Sequence, residues 1–420
     1  MSQLAPFHLM IVAKYLPNFK TFSNVLLISK RYATIIDNFH FNPFPLTYNT
    51  IKLFKHLETL HLYSREDETF GNEFVEYNSS TFLGQKLKSN INVKNFQTQN
   101  EQNKIEFFEV VVWYIVNYTT TQKAGNNYNF KNVIYSPTND AKSKEIPQIV
   151  NSLDEFFFSN AKFDKYTVPR QITSLGVGCF ANAKFLSKIE FPPFIVSIKD
   201  ECFKNCCSLR EINLPPNVIT LGRSCFAACL AVSKVCLPSA LKCIEGAAFS
   251  RCTTIPQIEM PSAVTVIKSS CFAECASLLS VVFTCGCRLS YVQDNSFLNC
   301  VSLREITLPD TTECIEKYAF RNCKNLLFFR APINLIKIGD GCFSECVSLK
   351  NVFFNQNLKV IGGFAFYNCT GLTAIELPKN ITFVGKSCFS GCIWIKSVVL
   401  NRKVSLVESG LLKGIKIVKK

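Results

Sequence analysis

Histidine is scarce in this chain, and its distribution is uneven. Only four of the 420 residues are histidine, and the last of them is His61. The rest of the sequence therefore has no imidazole to act as the base for a Cys or Ser nucleophile or to complete a mixed Cys/His zinc site. No glycine pattern of the P-loop or Rossmann type occurs either. We therefore expect no enzymatic activity, no cofactor and no bound metal.

Long hydrophobic runs are missing as well. The longest apolar run, Val110–Val116, has seven residues, against about 20 for a helix that spans a bilayer. The N-terminal segment contains neither a basic n-region nor an uninterrupted apolar stretch of the length that a secretory signal needs. These observations predict a cytoplasmic protein, although surface association by an unconventional route stays open.

Cysteine is absent until Cys179, and all 21 cysteines lie at or after that residue. The same part of the chain repeats a phenylalanine every 23 residues, with one step of 25 between Phe272 and Phe297. A period of this length is typical of a solenoid, in which each repeat is one coil stacked on the previous one. This Phe column consists of Phe180, Phe203, Phe226, Phe249, Phe272, Phe297, Phe320, Phe343, Phe366 and Phe389, with Leu412 at the next position.

Most of the cysteines occupy two further columns of the repeat. Nine stand three residues after the phenylalanine, namely Cys206, Cys229, Cys252, Cys275, Cys300, Cys323, Cys346, Cys369 and Cys392. Six stand directly before it, namely Cys179, Cys202, Cys225, Cys271, Cys342 and Cys388. The position before the phenylalanine holds Ala in other repeats, as at Ala248, so it accepts a small apolar side chain, and buried free Cys behaves as one. The pattern favours reduced core thiols, because disulfides need an oxidising compartment. Some cysteine pairing and metal binding stay open as alternatives.

Each repeat contains the pattern of two short strands. Apolar residues two apart, such as Ile212 and Leu214, predict a strand with one face inward. Proline follows in seven of the ten repeats, as at Pro215, and ends the strand because it has no N–H to donate. A second inward-facing segment is expected around Val218 and Leu221. The C-F-x-x-C segment is expected to form a helical turn with both cysteines inward.

This repeat resembles the BspA-type leucine-rich repeat, a 23-residue class, over residues 168–420. The resemblance implies an α+β protein, with a right-handed leucine-rich-repeat solenoid whose short strands form a parallel sheet, preceded by a small helical N-terminal module. One repeat departs from the pattern, because two residues are inserted near Cys285–Cys287, and we expect a bulge there. The resemblance also suggests a cell-surface adhesin, against which the missing leader and the free thiols argue.

Residues 1–60 lack the repeat and carry two apolar helical stripes separated by Pro17. The stretch PFHLMIVAKYL, followed by FSNVLLISKRYATII, resembles an F-box, a motif that docks on the linker protein of a cullin ubiquitin ligase. The match is incomplete, since the first helix is one residue short and His8 stands where an acidic residue is usual. A helical cap over the first coil is the alternative, because an uncapped solenoid end exposes its core. The docking surface implied by the resemblance comprises Pro6, Leu9, Met10, Tyr15 and Leu16.

Residues 61–167 are predicted to be an irregular region of strands and loops. Residues 57–63 and 105–118 are strand-like, whereas 119–150 is polar and is expected to form loops. The hexapeptide that begins at Phe158 then echoes the one that begins at Phe180. A degenerate first repeat is therefore expected before the regular array.

The outward strand positions, eight and ten residues after each phenylalanine, are the candidate binding surface. They are charged and mixed in the early coils, whereas the later coils place Phe328, Arg330 and Phe353 on adjacent strands. Exposed aromatic residues with Arg are typical of a binding hot spot. In the alternative interpretation, curvature or neighbouring side chains shield these three. We expect a protein partner to bind at this sheet face.

The net charge is +15, but most basic residues are scattered singly through the repeats, so no nucleic-acid partner is expected. The exception is residues 401–420, where six basic residues and one Glu give a net charge of +5. That segment either meets an acidic partner or a membrane surface or is a polar cap on the last coil. The sequence thus predicts a non-enzymatic interaction scaffold. A substrate adaptor of a ubiquitin ligase and a surface adhesin are the alternatives.

Overall fold

The structure, a computed structural model, describes residues 6–28, 32, 34–76, 104–136, 145–400, 408–411 and 416–419. The chain forms two compact units, residues 1–152 and 153–420. Across the described ranges, no helix combines the length and the apolar composition of a bilayer-spanning segment.

The first unit begins with short helices, as predicted for the helical module. Helix α1 spans Pro6–Ala13 and helix α2 spans Phe19–Leu27. The side chain of Asn18 caps α2 by accepting a hydrogen bond from the Thr21 amide at 3.0 Å, which satisfies an amide that has no partner within the helix. Two 3-10 turns follow, at Ile35–Asn38 and Ile51–Leu53.

A cluster of phenylalanine rings holds this helical part together. The ring of Phe22 is fully buried. Its centroid lies 5.9 Å from that of Phe39 and 5.3 Å from that of Phe44, and both of these rings are buried too. Aromatic pairs at such distances bury a large apolar area and add a favourable ring interaction.

Three parallel strands complete the first unit. They are β1 (Thr59–Leu62), β2 (Glu109–Asn117) and β3 (Tyr128–Tyr135), in the order β1-β2-β3. Helix α3 (Tyr118–Lys123) connects β2 to β3, so the expectation of loops over residues 119–150 is wrong for this stretch. Strand β3 also forms within this range, although it contains asparagine. The side-chain amide of Asn129 donates to the Glu109 carboxylate on β2 at 2.7 Å. Pairing with β2 outweighs the low strand preference of asparagine.

Most coils of the second unit contribute one strand to each of two parallel sheets, which confirms the predicted leucine-rich-repeat solenoid. We call the longer strands the front strands, and they are Lys165–Thr167, Lys188–Glu190, Glu211–Asn213, Lys234–Cys236, Gln257–Met260, Ser280–Phe283, Phe328–Arg330, Asn351–Phe353, Ala374–Glu376, Ser397–Leu400 and Lys416–Lys419. The back strands have two residues each and are Ser174–Leu175, Ser197–Ile198, Thr220–Leu221, Cys243–Ile244, Val266–Ile267, Tyr291–Val292, Cys314–Ile315, Lys337–Ile338, Val360–Ile361 and Phe383–Val384. A further short strand, Ser152–Leu153, lies where the chain passes from one unit to the next.

The two sheets differ in continuity. The back strands from Val266–Ile267 to Phe383–Val384 form one six-stranded sheet, whereas most front strands pair two by two. Residues 303–309 form no strand at all. The front sheet is therefore interrupted between Ser280–Phe283 and Phe328–Arg330.

The Phe column forms a continuous stack of rings at the centre of the coils. Successive centroids from Phe180 to Phe389 lie 5.0 to 5.7 Å apart, and the ring planes differ by 2° to 11°. Phe158 extends the stack at 5.2 Å from Phe180, so the degenerate first repeat is part of the array. Each ring contacts the coils on both sides, and these nearest-neighbour contacts are what stabilise a solenoid.

The nine cysteines that follow the Phe column form a second ladder, which we call the thiol ladder. Each donates its S–H to the backbone carbonyl of the phenylalanine one coil earlier, with sulfur–oxygen distances of 3.0 to 3.3 Å. Burial raises the pKa of Cys252 and Cys300 to about 12, so these thiols stay protonated and can donate. All 21 cysteines are free. The residues of this column are therefore hydrogen-bond donors as well as small buried side chains.

The segment around each phenylalanine is a series of tight turns, so the expected helical turn is wrong. The residues two before and two after the ring have positive φ, for example Glu201 at 55° and Asn205 at 61°. Left-handed residues interrupt a helix and direct alternate amides toward the next coil. The Phe203 amide donates to the Cys225 carbonyl at 2.7 Å, and the Asn205 amide donates to the Ala227 carbonyl at 2.8 Å. The segment thus adds a third row of hydrogen bonds between coils.

The two inserted residues form a turn at Thr284–Cys287. A bulge within the strand was expected at this position. The Cys287 amide donates to the Thr284 carbonyl at 3.1 Å, which closes the turn. Gly286 has a φ of +78°, a conformation that glycine adopts at no steric cost. The Thr284 amide donates to the Met260 carbonyl at 3.1 Å, so the pairing of the two front strands continues up to the turn.

Candidate protein-binding surface

The sequence-predicted residues Phe328, Arg330 and Phe353 lie on adjacent front strands and point outward. We call these three residues the front patch. Phe329 and Val352 alternate with them and are buried, as expected for strands with one inward face. Phe328 is 38% exposed and Phe353 is 48% exposed, so neighbouring side chains shield them only in part.

Arg330 and Phe353 are direct neighbours across the strand pair. The guanidinium carbon lies 5.2 Å from the centroid of the Phe353 ring, within the range of a cation–π interaction. Phe328 lies opposite Asn351, so the two aromatic rings of the patch stand diagonally to each other. The arginine thus contacts one ring and leaves the other available.

A shallow depression adjoins Phe328. Its volume is about 390 Å³, and it is lined by Leu279, Ser280, Arg304, Glu305, Leu327 and Phe328. Its position matches the interruption of the front sheet. The Arg304 amide donates to the Leu279 carbonyl at 3.3 Å, and the Leu327 amide donates to the Arg304 carbonyl at 3.1 Å. Within the described residues, no backbone hydrogen bond continues this ladder through residues 305–307.

Leu279 and Leu327 are functional candidates that sequence reasoning missed. Both stand seven residues after a ring of the Phe column, one position before the strand. Most other coils carry Ser, Thr, Lys or Arg there, as at Ser187 and Lys350. The leucines are 44% and 41% exposed. An aliphatic residue in an otherwise polar column is the signal that could have identified them.

Three cations lie around the front patch. No carboxylate in the described ranges lies within 4.0 Å of Arg304, Arg330 or Lys350. Several other cations of the array are paired, as between Arg321 and Glu345 at 2.9 Å, whereas others, such as Arg210 and Lys242, likewise have no carboxylate that close among the described residues. Three cations without a close carboxylate therefore lie beside the exposed apolar side chains near the patch, and Glu305 is the acidic residue that lines the depression.

The residues implied by the F-box resemblance differ widely in exposure. Leu9 is 4% exposed, whereas Tyr15 is 82% exposed. Met10 and Leu16 are half-buried. Pro6 begins α1, and its side chain lies outside the described residues. Among the described residues, the large apolar side chains that the helical part exposes are Ile11, Val12, Tyr15, Leu27, Ile28, Tyr48 and Leu53.

His61 belongs to a partly buried aromatic cluster in the first unit. Its ring stacks on that of Phe41, with centroids 4.7 Å apart, and its Nδ1 lies 3.3 Å from the Tyr63 hydroxyl. Burial is the main cause that lowers the pKa of His61 to about 4. The described residues contain no group of His, Cys, Asp and Glu side chains arranged to hold a metal ion.

The basic C-terminus is described only in part. Lys416–Lys419 forms the last front strand and pairs with Ser397–Leu400. The other basic residues of this segment, Arg402, Lys403, Lys413 and Lys420, lie outside the described residues.

Comparison with known proteins gives both sequence and structural matches. A family profile described as BspA type leucine rich repeat region, in six copies, matches residues 115–232, 173–300 and 290–418. A leucine-rich repeat protein from Bacteroides ovatus is 22% identical, with 74% of this chain and 78% of that chain covered and a TM-score of 0.52. At this level of identity the two proteins share a fold.

Two further solved structures are similar at lower TM-scores. A leucine rich cell surface protein from Faecalibacterium prausnitzii is 18% identical over 76% of this chain and 89% of that chain, with a TM-score of 0.42. The pneumococcal vaccine antigen PcpA is 20% identical over 72% of each chain, with a TM-score of 0.44. No curated relative matches the sequence.

Proposed function

This chain belongs to the BspA-type leucine-rich repeat family, and on that premise we propose that it is a non-enzymatic scaffold that binds a protein partner through the front strands of its solenoid. The observation that supports this most directly is the Arg330–Phe353 pair, whose side chains contact each other and remain exposed. Stacked repeats offer extended binding surfaces. Arg and aromatic residues are the types on which the binding energy of an interface concentrates.

The coils hold the front patch in a fixed position. The ring of Phe329 is fully buried and lies 4.6 Å from the ring of Phe343, measured between centroids. Val352 anchors the neighbouring strand in the same way. Because the backbone is already ordered, binding at the patch loses little conformational entropy, and this favours affinity.

The proposal is tested with the double variant Phe328→Ala and Phe353→Ala in the full chain. Partners are quantified by affinity purification and mass spectrometry from the native cells, and folding is followed by thermal unfolding. We expect the variant to unfold at an unchanged temperature and to lose at least one partner about tenfold, as for a hot-spot truncation. The matched control is Phe194→Ala, which removes an aromatic ring that is 55% exposed and lies outside the front strands. An unchanged partner profile together with unchanged stability would rule out the patch.

A second candidate function is that of a ubiquitin-ligase substrate adaptor, with the helical part of the first unit docking the ligase linker protein. The exposure of Tyr15 and Leu27, at 82% and 84%, favours a contact at this surface, because exposed apolar patches mark interaction sites. Cullin-ligase components should then co-purify with the full chain and be lost from Tyr15→Ala. Their absence from a purification that retains other partners would exclude the adaptor.

A further inference from the structure

The depression and the front patch form one continuous surface, because Phe328 belongs to both. Leu279 and Leu327 border the depression, and each exposes two-fifths or more of its surface. The volume of about 390 Å³ is within the range of about 300 to 1,000 Å³ that is usual for ligand sites. The depression can therefore accept an apolar side chain, with Arg330 and Phe353 close by.

The charges along this surface select the sign of the partner. Arg304, Arg330 and Lys350 lack a carboxylate within 4.0 Å among the described residues, and Glu305 is the one acidic residue that lines the depression. An acidic partner would supply the missing carboxylates. Arg is suited to this role because its planar guanidinium binds a carboxylate through two parallel hydrogen bonds.

Glu305 distinguishes a peptide from a nucleic acid. Its side chain lines the depression beside Arg304, where it would repel a phosphate backbone. A peptide presents backbone N–H groups, which can donate to that carboxylate. Positive charge with exposed phenylalanine would suit single-stranded nucleic acid, but a strand would bring its regularly spaced phosphates against Glu305, whereas a peptide can place an apolar side chain there and its carboxylate at Arg330.

The dimensions of the surface suit a short extended segment. The ring centroids of successive coils from Phe272 to Phe343 lie 5.4, 5.1 and 5.3 Å apart, so the surface spans about 16 Å across the strands. An extended chain covers that distance with about five residues at roughly 3.3 Å each. The depression is centred one coil, about 5 Å, from the Arg330 strand, and its lining on that strand precedes Arg330 by two to three positions. An apolar residue in the depression and a carboxylate at Arg330 would therefore be about three residues apart in an extended chain.

We propose that the front strands from Leu279 to Phe353 bind an extended acidic peptide segment, which places an aliphatic or aromatic side chain between Leu279 and Leu327 and a carboxylate against Arg330. This inference rests on the proposed function and specifies the chemistry of the partner.

The test uses the full chain and a display library of random nonapeptides. Selected peptides should be enriched in Asp or Glu about three positions from Leu, Ile or Phe. Their affinity, measured by fluorescence polarisation, should fall about tenfold on Arg330→Ala and on Leu327→Asp, and it should fall with added salt. Arg251→Ala, which removes a cation that is already paired, is the matched control and should leave the affinity unchanged.

Three results would overturn the inference. They are selection of peptides without acidic residues, equal affinities for Arg330→Ala and Arg251→Ala, and tighter binding of a fluorescent oligouridine than of the selected peptides. These failures are distinguishable from a failure of the proposed function. If Phe328→Ala with Phe353→Ala loses a native partner while no acidic peptide is selected, the scaffold function stands and the acidic partner is wrong.

Discussion

The thiol ladder leads to a quantitative prediction at Cys323, in the middle of the array. Its S–H donates to the Phe297 carbonyl at 3.3 Å, and the same carbonyl accepts the Cys300 amide at 3.2 Å. In Cys323→Ala the carbonyl keeps the amide bond and loses only the thiol. We expect a cost of about 0.5–1 kcal/mol for the lost hydrogen bond and about 1 kcal/mol for the small cavity.

Cys342 offers a matched control within the next coil. It is fully buried as well, but its thiol donates no hydrogen bond to any described residue. Cys342→Ala should therefore cost only the cavity contribution of about 1 kcal/mol. Replacement by Ser does not separate the two sites, because the array accepts a buried Ser in the column of Cys342. Ser296 stands directly before Phe297, is fully buried, and donates its hydroxyl to the Gln293 carbonyl.

The measurement is the free energy of unfolding from urea titrations of the full chain under reducing conditions, followed by circular dichroism. An unchanged dependence on urea concentration would show that the variants alter stability and not the surface exposed on unfolding. If Ala costs the same at Cys323 and Cys342, then the thiols contribute volume alone.

Three further predictions concern other parts of the molecule. Phe320→Ala should cost about 3–5 kcal/mol, because its ring stacks on neighbours at 5.1 and 5.3 Å; urea unfolding measures the loss, and hydrogen exchange should rise first in the adjacent coils. Gly341→Ala should lower the melting temperature more than Gly286→Ala, because a Cβ on Gly341 would lie 2.3 Å from the Tyr318 ring, whereas one on Gly286 meets nothing within 4 Å. Equal decreases in melting temperature would contradict this prediction, because the positive φ that both glycines share would then account for the whole effect. The pKa of His61 is lowered from 6.5 to about 4, so the unfolded chain binds the proton more readily, and stability should fall as the pH drops from about 6.5 through about 4. His61→Phe should remove that part of the pH dependence in urea titrations at a series of pH values, and an identical pH profile for the variant would refute the assignment.

The sequence predicted the solenoid because the signal for it is local and repeated. The spacing of the Phe column identified the rings that stack from Phe180 to Phe389. What it missed depends on contacts between distant residues. Strand β3 forms although it contains Asn129, because it pairs with β2. The hydrogen bonds of the thiol ladder were not predicted. The cysteine column directly before the phenylalanines also accepts Ala, which indicated a need for small side chains only, and a hydrogen-bond donor is recognised only when its acceptor is known.

Part of the candidate site was predictable from the sequence, namely the outward-facing residues of the front patch, whereas the depression beside them was not. Strand alternation was enough to place Phe328, Arg330 and Phe353 on the outward side. The depression beside them arises where residues 303–309 fail to form a strand, and that interruption has no counterpart in the sequence pattern. Leu279 and Leu327 gain their role from this local geometry, which the repeat itself does not encode.

The turn at Thr284–Cys287 shows where the array tolerates a change in length. Two additional residues are accommodated there, while the coil before and the coil after keep their rings stacked at 5.4 Å and their back strands paired. Gly286 has open space around it. This corner is therefore a suitable place to graft a foreign loop, such as an epitope tag or a spectroscopic label, because exposed turns accept insertions without disturbing the packed elements on either side.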